Sequence, residues 1–294
     1  MYYRRKILLS LLQIFNNELD KISLQKLLFL LSCQQAEKSF HFVPYKYGCF
    51  SFQANADLGT LLKYNLVTET DNTWKKNNRV DYFKELKVKD QTALRYIKNC
   101  FGTYSKEELI KFTYRNFPFY AINSTILKTL VNPSEQEKIR KLKPSGQEII
   151  LFTIGYEGLS LEEYLNKLII NNIRVLCDAR KNAVSMKYGF SKSQLQKACI
   201  GVGIEYIHIP ELGIDSNKRQ KLYTQADYDT LFDYYRTQVL KNEVSKQKEI
   251  VILLDRKKRV ALTCFEANIF QCHRKHLAES IAQMEGFNYE VKHI

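Results

Sequence analysis

The chain has 294 residues, of which 45% are hydrophobic and 13% aromatic. That length allows two ordinary domains with separate cores, and the composition excludes an intrinsically disordered protein. The formal net charge of +14 is uneven, because residues 1–147 hold 24 Lys and Arg against 13 Asp and Glu, whereas residues 148–294 hold 21 against 18. A half this basic indicates a polyanionic partner, most often nucleic acid. A lysine-rich surface without a binding role is the alternative.

The sequence also argues against a membrane protein and a secreted protein. No stretch approaches the roughly 18 apolar residues that a membrane-spanning helix needs, so no membrane partner is expected. The segment Met1–Lys6 and the short apolar run after it lack the cleavage site of a secretory signal. The seven cysteines are odd in number and irregularly spaced, which argues against a disulfide framework. The sequence therefore predicts a cytoplasmic protein with reduced thiols.

The basic half begins with a pattern of three helices and a hairpin. Apolar residues over 7–15 recur at helical spacing, and Ser23 is the predicted N-cap of a second, leucine-rich helix. A third helix is predicted over 52–64, followed by two short strands, 66–70 and 73–76, around a turn. This order is typical of a winged helix-turn-helix, which suggests DNA rather than RNA as the partner. The residues expected to contact phosphate near a basic hairpin tip are Lys75, Lys76 and Arg79.

The domain boundary is predicted after a further set of helices. Residues 81–130 have helical spacing, and a polar, basic stretch with two prolines follows them. We therefore expect a mostly helical, winged-helix-like domain over 1–130, a linker over 131–147 and an α/β domain over 148–294.

Two segments of the basic half resemble the Panacea antitoxin-like domain. They are Leu24-Gln25-Lys26-Leu27-Leu28-Phe29 and Phe42-Val43-Pro44-Tyr45-Lys46-Tyr47-Gly48. The family has a Leu-x-Lys-Leu helix followed by a Tyr-Gly-Pro turn, to which these segments are similar. The resemblance implies an antitoxin-like module with a protein partner, and a role in phage defence. By themselves, aromatic residues at this spacing are also typical of core packing.

The C-terminal half carries the pattern of a parallel sheet covered by helices. Apolar, β-rich runs at 149–154 and 173–177 flank a helix that Ser160 can cap, and this β-α-β order predicts parallel strands. Residues 250–254 fit either a strand or the buried end of a long helix. A further helix is predicted over 191–200, and further strands over 204–208, 260–264 and 288–292.

Five motifs follow one another along this half. They are Thr153–Gly158, Asp178-Ala179-Arg180, Gly189–Lys192, Pro210–Gly213, and Cys264-Phe265-Glu266 with Cys272-His273-Arg274. Together they resemble the YeaO-like family of unknown function (DUF488). The resemblance implies an α/β sandwich over nearly the whole half and lends no established reaction.

Polar side chains follow several of the predicted strands, at the edge where open α/β sheets bind ligands. Guanidinium groups hold phosphate through paired hydrogen bonds, whereas thiols, carboxylates and imidazoles act as nucleophiles, acids and bases. The predicted anion-binding residues are Arg180, Arg274, His273 and Tyr156. The predicted catalytic residues are Cys264, Cys272, Glu266, Asp178 and His208. Glu157, Ser185 and Glu211 are expected at the same edge.

Each of these residues also has a structural interpretation. Asp178 and Arg180 can form an ion pair that ties loops together, Cys264 can be a small buried apolar residue, and His208 can cap a loop. The pattern Cys264-x7-Cys272-His273-x2-His276 suggests zinc, but neighbours such as Cys272 and His273 rarely both face one tetrahedral ion. We therefore predict no metal ion. The sequence has no phosphate-binding glycine loop and no dinucleotide motif, and no cofactor is predicted.

Two functional hypotheses follow. The first is a nucleic-acid-associated protein whose α/β domain binds or processes a phosphate-bearing nucleotide group. The second is a regulator or partner-binding protein without catalysis, either a ligand sensor or an antitoxin-like module that binds a protein or a second copy of itself.

Overall fold

The computed structural model describes residues 1–219 and 222–294, which divide into two units, Met1–Lys143 and Pro144–Ile294. The first unit is mostly helical, as predicted, and the second holds a five-stranded parallel sheet. Among the described residues no helix is both long enough and apolar enough to cross a membrane.

The first part of the N-terminal unit combines three helices with short strands. The helices are α1 (Tyr3–Ile14), α2 (Lys21–Gln34) and α3 (Phe52–Lys63). The strands are β1 (Glu18–Asp20), β2 (Val43–Tyr45), β3 (Gly48–Phe50), β4 (Val67–Glu69) and β5 (Thr73–Lys76). Strands β1, β5 and β4 form an antiparallel sheet in that order, whereas β2 and β3 form a separate hairpin between α2 and α3.

Helix α2 begins three residues earlier than predicted. Its N-cap is Asp20, whose carboxylate accepts hydrogen bonds from the backbone N–H groups of Ile22 and Ser23, so Ser23 lies inside the helix. The five leucines of α2 are all buried, at most 4% exposed. Each such side chain contributes about 1.5–3 kcal/mol through burial, so this helix anchors the core of the unit.

The rest of the N-terminal unit is helical. It contains α4 (Val88–Phe101), α5 (Lys106–Asn116), α6 (Leu127–Leu130) and α7 (Pro133–Lys141). Ser105 and Glu108 form a capping box at the start of α5. Helix α7 lies within the range predicted as a linker, and its Ile139 is buried against Ile110 and Tyr114.

The C-terminal unit is built on a sheet in the order β10-β6-β9-β7-β8, with every neighbouring pair parallel. Its strands are β6 (Ile150–Gly155), β7 (Val175–Asp178), β8 (Glu205–His208), β9 (Arg259–Cys264) and β10 (Glu290–His293). Every residue of β6 and β9 is buried, as expected of central strands covered on both faces. The α/β fold predicted for this half is confirmed.

The helices of the C-terminal unit are α8 (Leu161–Ile170), α9 (Lys192–Gly201), α10 (Gln225–Tyr234), α11 (Val244–Lys257) and α12 (His273–Ala282). Ser160 caps α8 through a capping box with Glu163, as its position predicted. Residues 250–254 belong to α11, so the helical alternative is correct. A π-helical segment, Tyr235–Leu240, follows α10, and α11 is a separate helix.

Candidate functional site at the carboxyl edge of the sheet

Four neighbouring strands of the C-terminal unit end beside one another. Gly155 at the end of β6 is paired with Cys264 of β9, and Asp178 at the end of β7 is paired with Thr263 of β9 and His208 of β8. A cavity of about 290 Å³ lies at this edge. The residues that line it include Tyr156, Arg180, Lys181, Arg219, Cys264 and His273. Parallel pairing therefore brings together side chains that are far apart in the sequence.

A thiol and an imidazole meet at the cavity. The Cys264 Sγ atom lies 3.3 Å from Nδ1 of His273 and 3.1 Å from Oε2 of Glu266. Nε2 of His273 lies 3.1 Å from the backbone oxygen of Ala179, a distance at which Nε2 donates. That hydrogen bond assigns the proton to Nε2 and leaves Nδ1 directed at Cys264.

Arg219 completes this cluster, and the sequence analysis missed it. Its Nη1 donates to Oε1 of Glu266 at 2.7 Å, and its Nη2 lies 2.5 Å from Nδ1 of His273 and 3.9 Å from Sγ of Cys264. Arg219 ends a single 3-10 turn, Ser216–Arg219, in a polar stretch without periodicity. No motif there marks it, so the sequence held no signal that could have found it.

The two thiols of the cluster differ in their readiness to ionise. Burial raises the pKa of Cys264, but the hydrogen bond from Cys272 and the neighbouring His273 and Arg219 outweigh burial and lower that pKa well below the usual range. Burial, the hydrogen bond to Cys264 and the charge of Cys264 raise the pKa of Cys272 well above its usual range. Burial first, and then the Cys264 charge, raises the pKa of Glu266. Cys264 is therefore the more readily ionised thiol of the pair.

Arg180 and Asp178 form the buried ion pair that the structural interpretation described. Nε and Nη2 of Arg180 donate to the two carboxylate oxygens of Asp178 at 2.8 and 2.5 Å, and Nη1 donates to Tyr156 Oη and to the Phe190 oxygen at 2.8 Å each. Tyr206 Oη donates to Asp178 at 2.6 Å. Arg180 is 6% exposed. Its guanidinium is thus engaged inside the protein and offers little to an external anion, and Asp178 has no free carboxylate oxygen for catalysis.

Arg274 is likewise engaged with its own chain. It is 3% exposed, its Nη1 donates to the backbone oxygen of Glu266, and its Nη2 donates to that of Ala267 at 3.1 Å. Glu157 supports the same loop by accepting from the Ala267 N–H at 2.9 Å. The predicted anion-binding residue therefore fixes the loop that carries Glu266.

The remaining predicted residues separate into those at the cavity and those beside it. Tyr156 lines the cavity, and its ring stacks on Phe190 with ring centroids 4.2 Å apart. Ser185 also lines the cavity. Nε2 of His208 lies 2.8 Å from the Arg180 oxygen, which is the loop-capping role. Glu211 is exposed on the 3-10 turn Pro210–Leu212.

Contrary to the expectation from their adjacency, Cys272 and His273 do face a common point. One ligand atom from each of Cys264, Glu266, Cys272 and His273 lies within 4.8 Å of all the others. The neighbours Cys272 and His273 thus face one point, with Glu266 as the fourth group instead of His276. The ring of His276 packs instead against Phe232, with ring centroids 4.5 Å apart.

The N-terminal candidates differ in their exposure. Lys75 is exposed and lies 3.8 Å from Glu18, and Arg79 is exposed. Lys76 is only 6% exposed, and its Nζ donates to the Asn78 oxygen at 2.7 Å, so it is unavailable to phosphate. The hairpin tip carries Asp71 and Asn72 and is therefore not basic.

The aromatic residues of the β2–β3 hairpin pack against one another. Tyr45 stacks on Phe50 with centroids 4.8 Å apart, and Phe52 meets the edge of Phe50 at 5.1 Å. All three rings are half-buried, so they pack against one another at the edge of the core and not inside it.

Residues 160–281 match the family model of the domain of unknown function DUF488. The C-terminal half is similar to that domain over these residues. This agrees with the resemblance found in its five motifs, and the last of those motifs supplies Cys264, Glu266, Cys272 and His273. No curated protein and no solved structure matches the chain.

Proposed function

We propose that this protein is nucleic-acid-associated and that its DUF488-like domain binds a phosphate-bearing nucleotide group in the cavity at the carboxyl edge. The observation that carries this proposal is the cavity's combination of cationic, hydroxyl and aromatic side chains. The reaction, if the bound group is processed there, is left open.

The charge in the cavity comes from Lys181 and from Arg219, which also pairs with the partly exposed Glu266 at 2.7 Å. Lys181 is exposed at the rim. The Arg219 side chain is 27% exposed, and among residues 1–219 and 222–294 its buried Nε has no hydrogen-bond partner. These groups can attract a phosphate without breaking the Arg180–Asp178 pair.

The cavity also offers the other groups that a nucleotide needs. Asn182, Ser185 and Ser216 supply hydrogen-bonding side chains. Phe265 is 41% exposed and meets the edge of Tyr156 with ring centroids 5.3 Å apart, which leaves its ring able to stack on a base. A volume near 290 Å³ is at the small end of ligand sites and suits one nucleotide group.

The N-terminal unit supports contact with a polyanion. Its elements run α1, β1, α2, α3, β4, β5, interrupted only by the β2–β3 hairpin, which is the order of a winged helix. The unit carries a net charge of +11 from 24 basic and 13 acidic residues over 1–147. Lys75 and Arg79 are its exposed cations beside the hairpin, and duplex DNA is the partner this arrangement favours.

The polymer contact is tested with labelled DNA and RNA duplexes and the full chain over a salt series. We expect the affinity to fall steeply as the salt concentration rises. The double variant Lys75→Glu, Arg79→Glu should weaken binding, and it should reduce the slope of log affinity against log salt concentration by the equivalent of about two phosphate contacts. Lys248→Glu, an exposed reversal in the other unit, is the matched control. An absence of binding even at low salt would remove the nucleic-acid proposal.

The cavity is tested separately by calorimetry with mononucleotides. Lys181→Ala should weaken binding several-fold, in keeping with about 1 kcal/mol for an exposed charge contact. Lys197→Ala, an exposed lysine on α9, should leave affinity unchanged. If both variants bind mononucleotide as tightly as the unaltered chain does, the nucleotide binds elsewhere.

A second candidate function is a ligand sensor or partner-binding regulator without catalysis. It is favoured by one observation, namely that Arg180 and Arg274 are both held by internal hydrogen bonds. A sensor would bind nucleotide in the calorimetric experiment and leave it chemically unchanged after prolonged incubation, whereas an enzyme would release product.

A further inference from the structure

We propose that Cys264, Glu266, Cys272 and His273 bind one soft divalent metal ion, with zinc as the best match to this set of groups. The four ligand atoms lie within 4.8 Å of one another. Zinc with bonds of about 2.0–2.3 Å places tetrahedral ligands about 3.3–3.8 Å apart. Cys264 Sγ already lies 3.1 Å from Glu266 Oε2 and 3.3 Å from His273 Nδ1. Small side-chain movements, together with withdrawal of Arg219 Nη2 from His273 Nδ1, therefore complete the set. Cys264 and His273 also line the cavity, but the metal proposal rests on the geometry of the ligands and not on what the cavity binds.

The types of ligand select the metal. Two thiols and an imidazole are preferred by zinc and similar transition metals, whereas calcium and magnesium take oxygen ligands. Three of the residues are almost completely buried, with exposures of 1% for Cys264, 0% for Cys272 and 1% for His273. Such burial protects metal–thiolate bonds from exchange with solvent.

Backbone geometry explains how two adjacent residues serve one ion. Cys272 is the N-cap of α12 and is extended, with φ −128° and ψ 131°, whereas His273 is the first residue of the helix. Because the backbone changes conformation between them, their side chains turn toward the same point. The end of β9 supplies Cys264, and the loop that follows supplies Glu266.

Outer contacts already hold the ligands in place. The Nε2–H of His273 donates to the Ala179 oxygen, which is the usual way in which a metal-binding histidine is oriented. Arg274 holds the backbone oxygens of Glu266 and Ala267 and so fixes the loop that carries the carboxylate. The cluster is thus oriented by groups that are not ligands.

The charges of the cluster also call for a divalent cation. Two thiolates and one carboxylate together carry three negative charges when all are ionised. The Arg219 guanidinium, which contacts Glu266, His273 and Cys264, supplies one positive charge. A divalent ion would bring the positive charge to three, so the buried groups would be neutralised.

The first test uses the full chain, zinc and cobalt. We expect purified protein to take up one zinc per chain under reducing conditions, and one cobalt to give the thiolate charge-transfer and tetrahedral absorption bands. Cys264→Ser, Cys272→Ser and His273→Ala should each weaken zinc binding at least tenfold. Cys199→Ala, a buried thiol of the same unit, and His276→Ala, a neighbouring imidazole, should bind as the unaltered chain does.

A second test needs no ligand variant and so covers the case in which those variants fail to fold. In a Cys33→Ser, Cys100→Ser background the exposed thiols are removed, and five buried ones remain. Under mild denaturation, zinc should protect two of these five thiols, Cys264 and Cys272, from a thiol reagent. Zinc should also raise the melting temperature of the protein. The proposal is overturned by no uptake of zinc or cobalt, by unchanged thiol reactivity, or by ligand variants that bind as tightly as the controls.

Discussion

The guanidinium of Arg180 has five N–H donors, and four of them are used inside the protein, on Asp178, Tyr156 and the Phe190 oxygen. The pair is fully shielded, because Asp178 is 0% and Arg180 6% exposed. Such a pair costs desolvation when it forms, yet removal of one partner leaves the other charge buried and alone. At the scale of the residue, the function of Arg180 is thus to position Tyr156 and the loop after β7.

This assignment predicts that Arg180→Ala destabilises the protein by about 3–5 kcal/mol. The free energy of unfolding in urea measures the loss directly. Arg236→Ala is the control, since Arg236 is exposed and makes only long contacts, at 3.4 Å each, with Asp233 and His276. It should change stability by less than about 0.5 kcal/mol. Normal stability together with lost nucleotide binding would instead restore the anion-binding role.

Arg180 and Arg219 also show where sequence reasoning stops. Both arginines lie near the same sheet edge, but only Arg180 belongs to a sequence motif, so only Arg180 was predicted as a site residue. Which guanidinium is buried in a pair and which faces the cavity depends on carbonyls and carboxylates brought in by distant strands. A single sequence does not encode those distances in any readable pattern.

At the scale of the element, the backbone at the end of β6 lies very close to the loop that follows β9. A Cβ atom on Gly155 would lie 1.9 Å from the backbone oxygen of Glu266 and 2.8 Å from its carbonyl carbon. Those are backbone atoms, so a rotamer change cannot relieve the clash. Only glycine at this position lets the loop after β9 lie against β6.

We therefore expect Gly155→Ala to displace that loop and to cost about 1–3 kcal/mol, as overpacking does. It should also speed the reaction of Cys264 with a thiol reagent. Gly59→Ala is the matched control, because it lies inside α3 with nothing within 4 Å of its Cβ, and it should stabilise the protein by up to about 1 kcal/mol. If Gly155→Ala is as stable as the unaltered chain, the loop after β9 can move away from the added methyl group without loss of stability.

Elements with strong local signals were predicted well. The predicted cap Ser160 marks the start of α8, and the apolar runs became β6, β7 and β9. Strand β1 was missed because its three residues have no periodic pattern and are strand only through pairing with β5. The convergence of Cys272 and His273 was missed for a similar reason, since it depends on a change of backbone conformation at the start of a helix.

At the scale of the whole molecule, charge and chemistry lie in different units. The basic excess belongs to residues 1–147, whereas the cluster of thiols, carboxylate and imidazole belongs to the second unit. Each unit has its own buried apolar cluster, one including Leu8, Leu28 and Leu94, the other Leu151, Val260 and Leu277. Separate cores imply that each unit is stable without the other.

Limited trypsin digestion tests that independence. Lys141 is exposed two residues before the boundary between the units, whereas Lys143 precedes Pro144 and resists trypsin. Cleavage after Lys141 should therefore be early and should yield two resistant fragments near residues 1–141 and 142–294. Mass spectrometry identifies the fragments, and Lys141→Gln should remove this cut. If the proposals above hold, the first fragment retains salt-sensitive binding to duplex DNA and the second retains the metal. Rapid loss of either fragment would mean that its core is not sufficient alone, and the functions assigned to the two units could then not be separated.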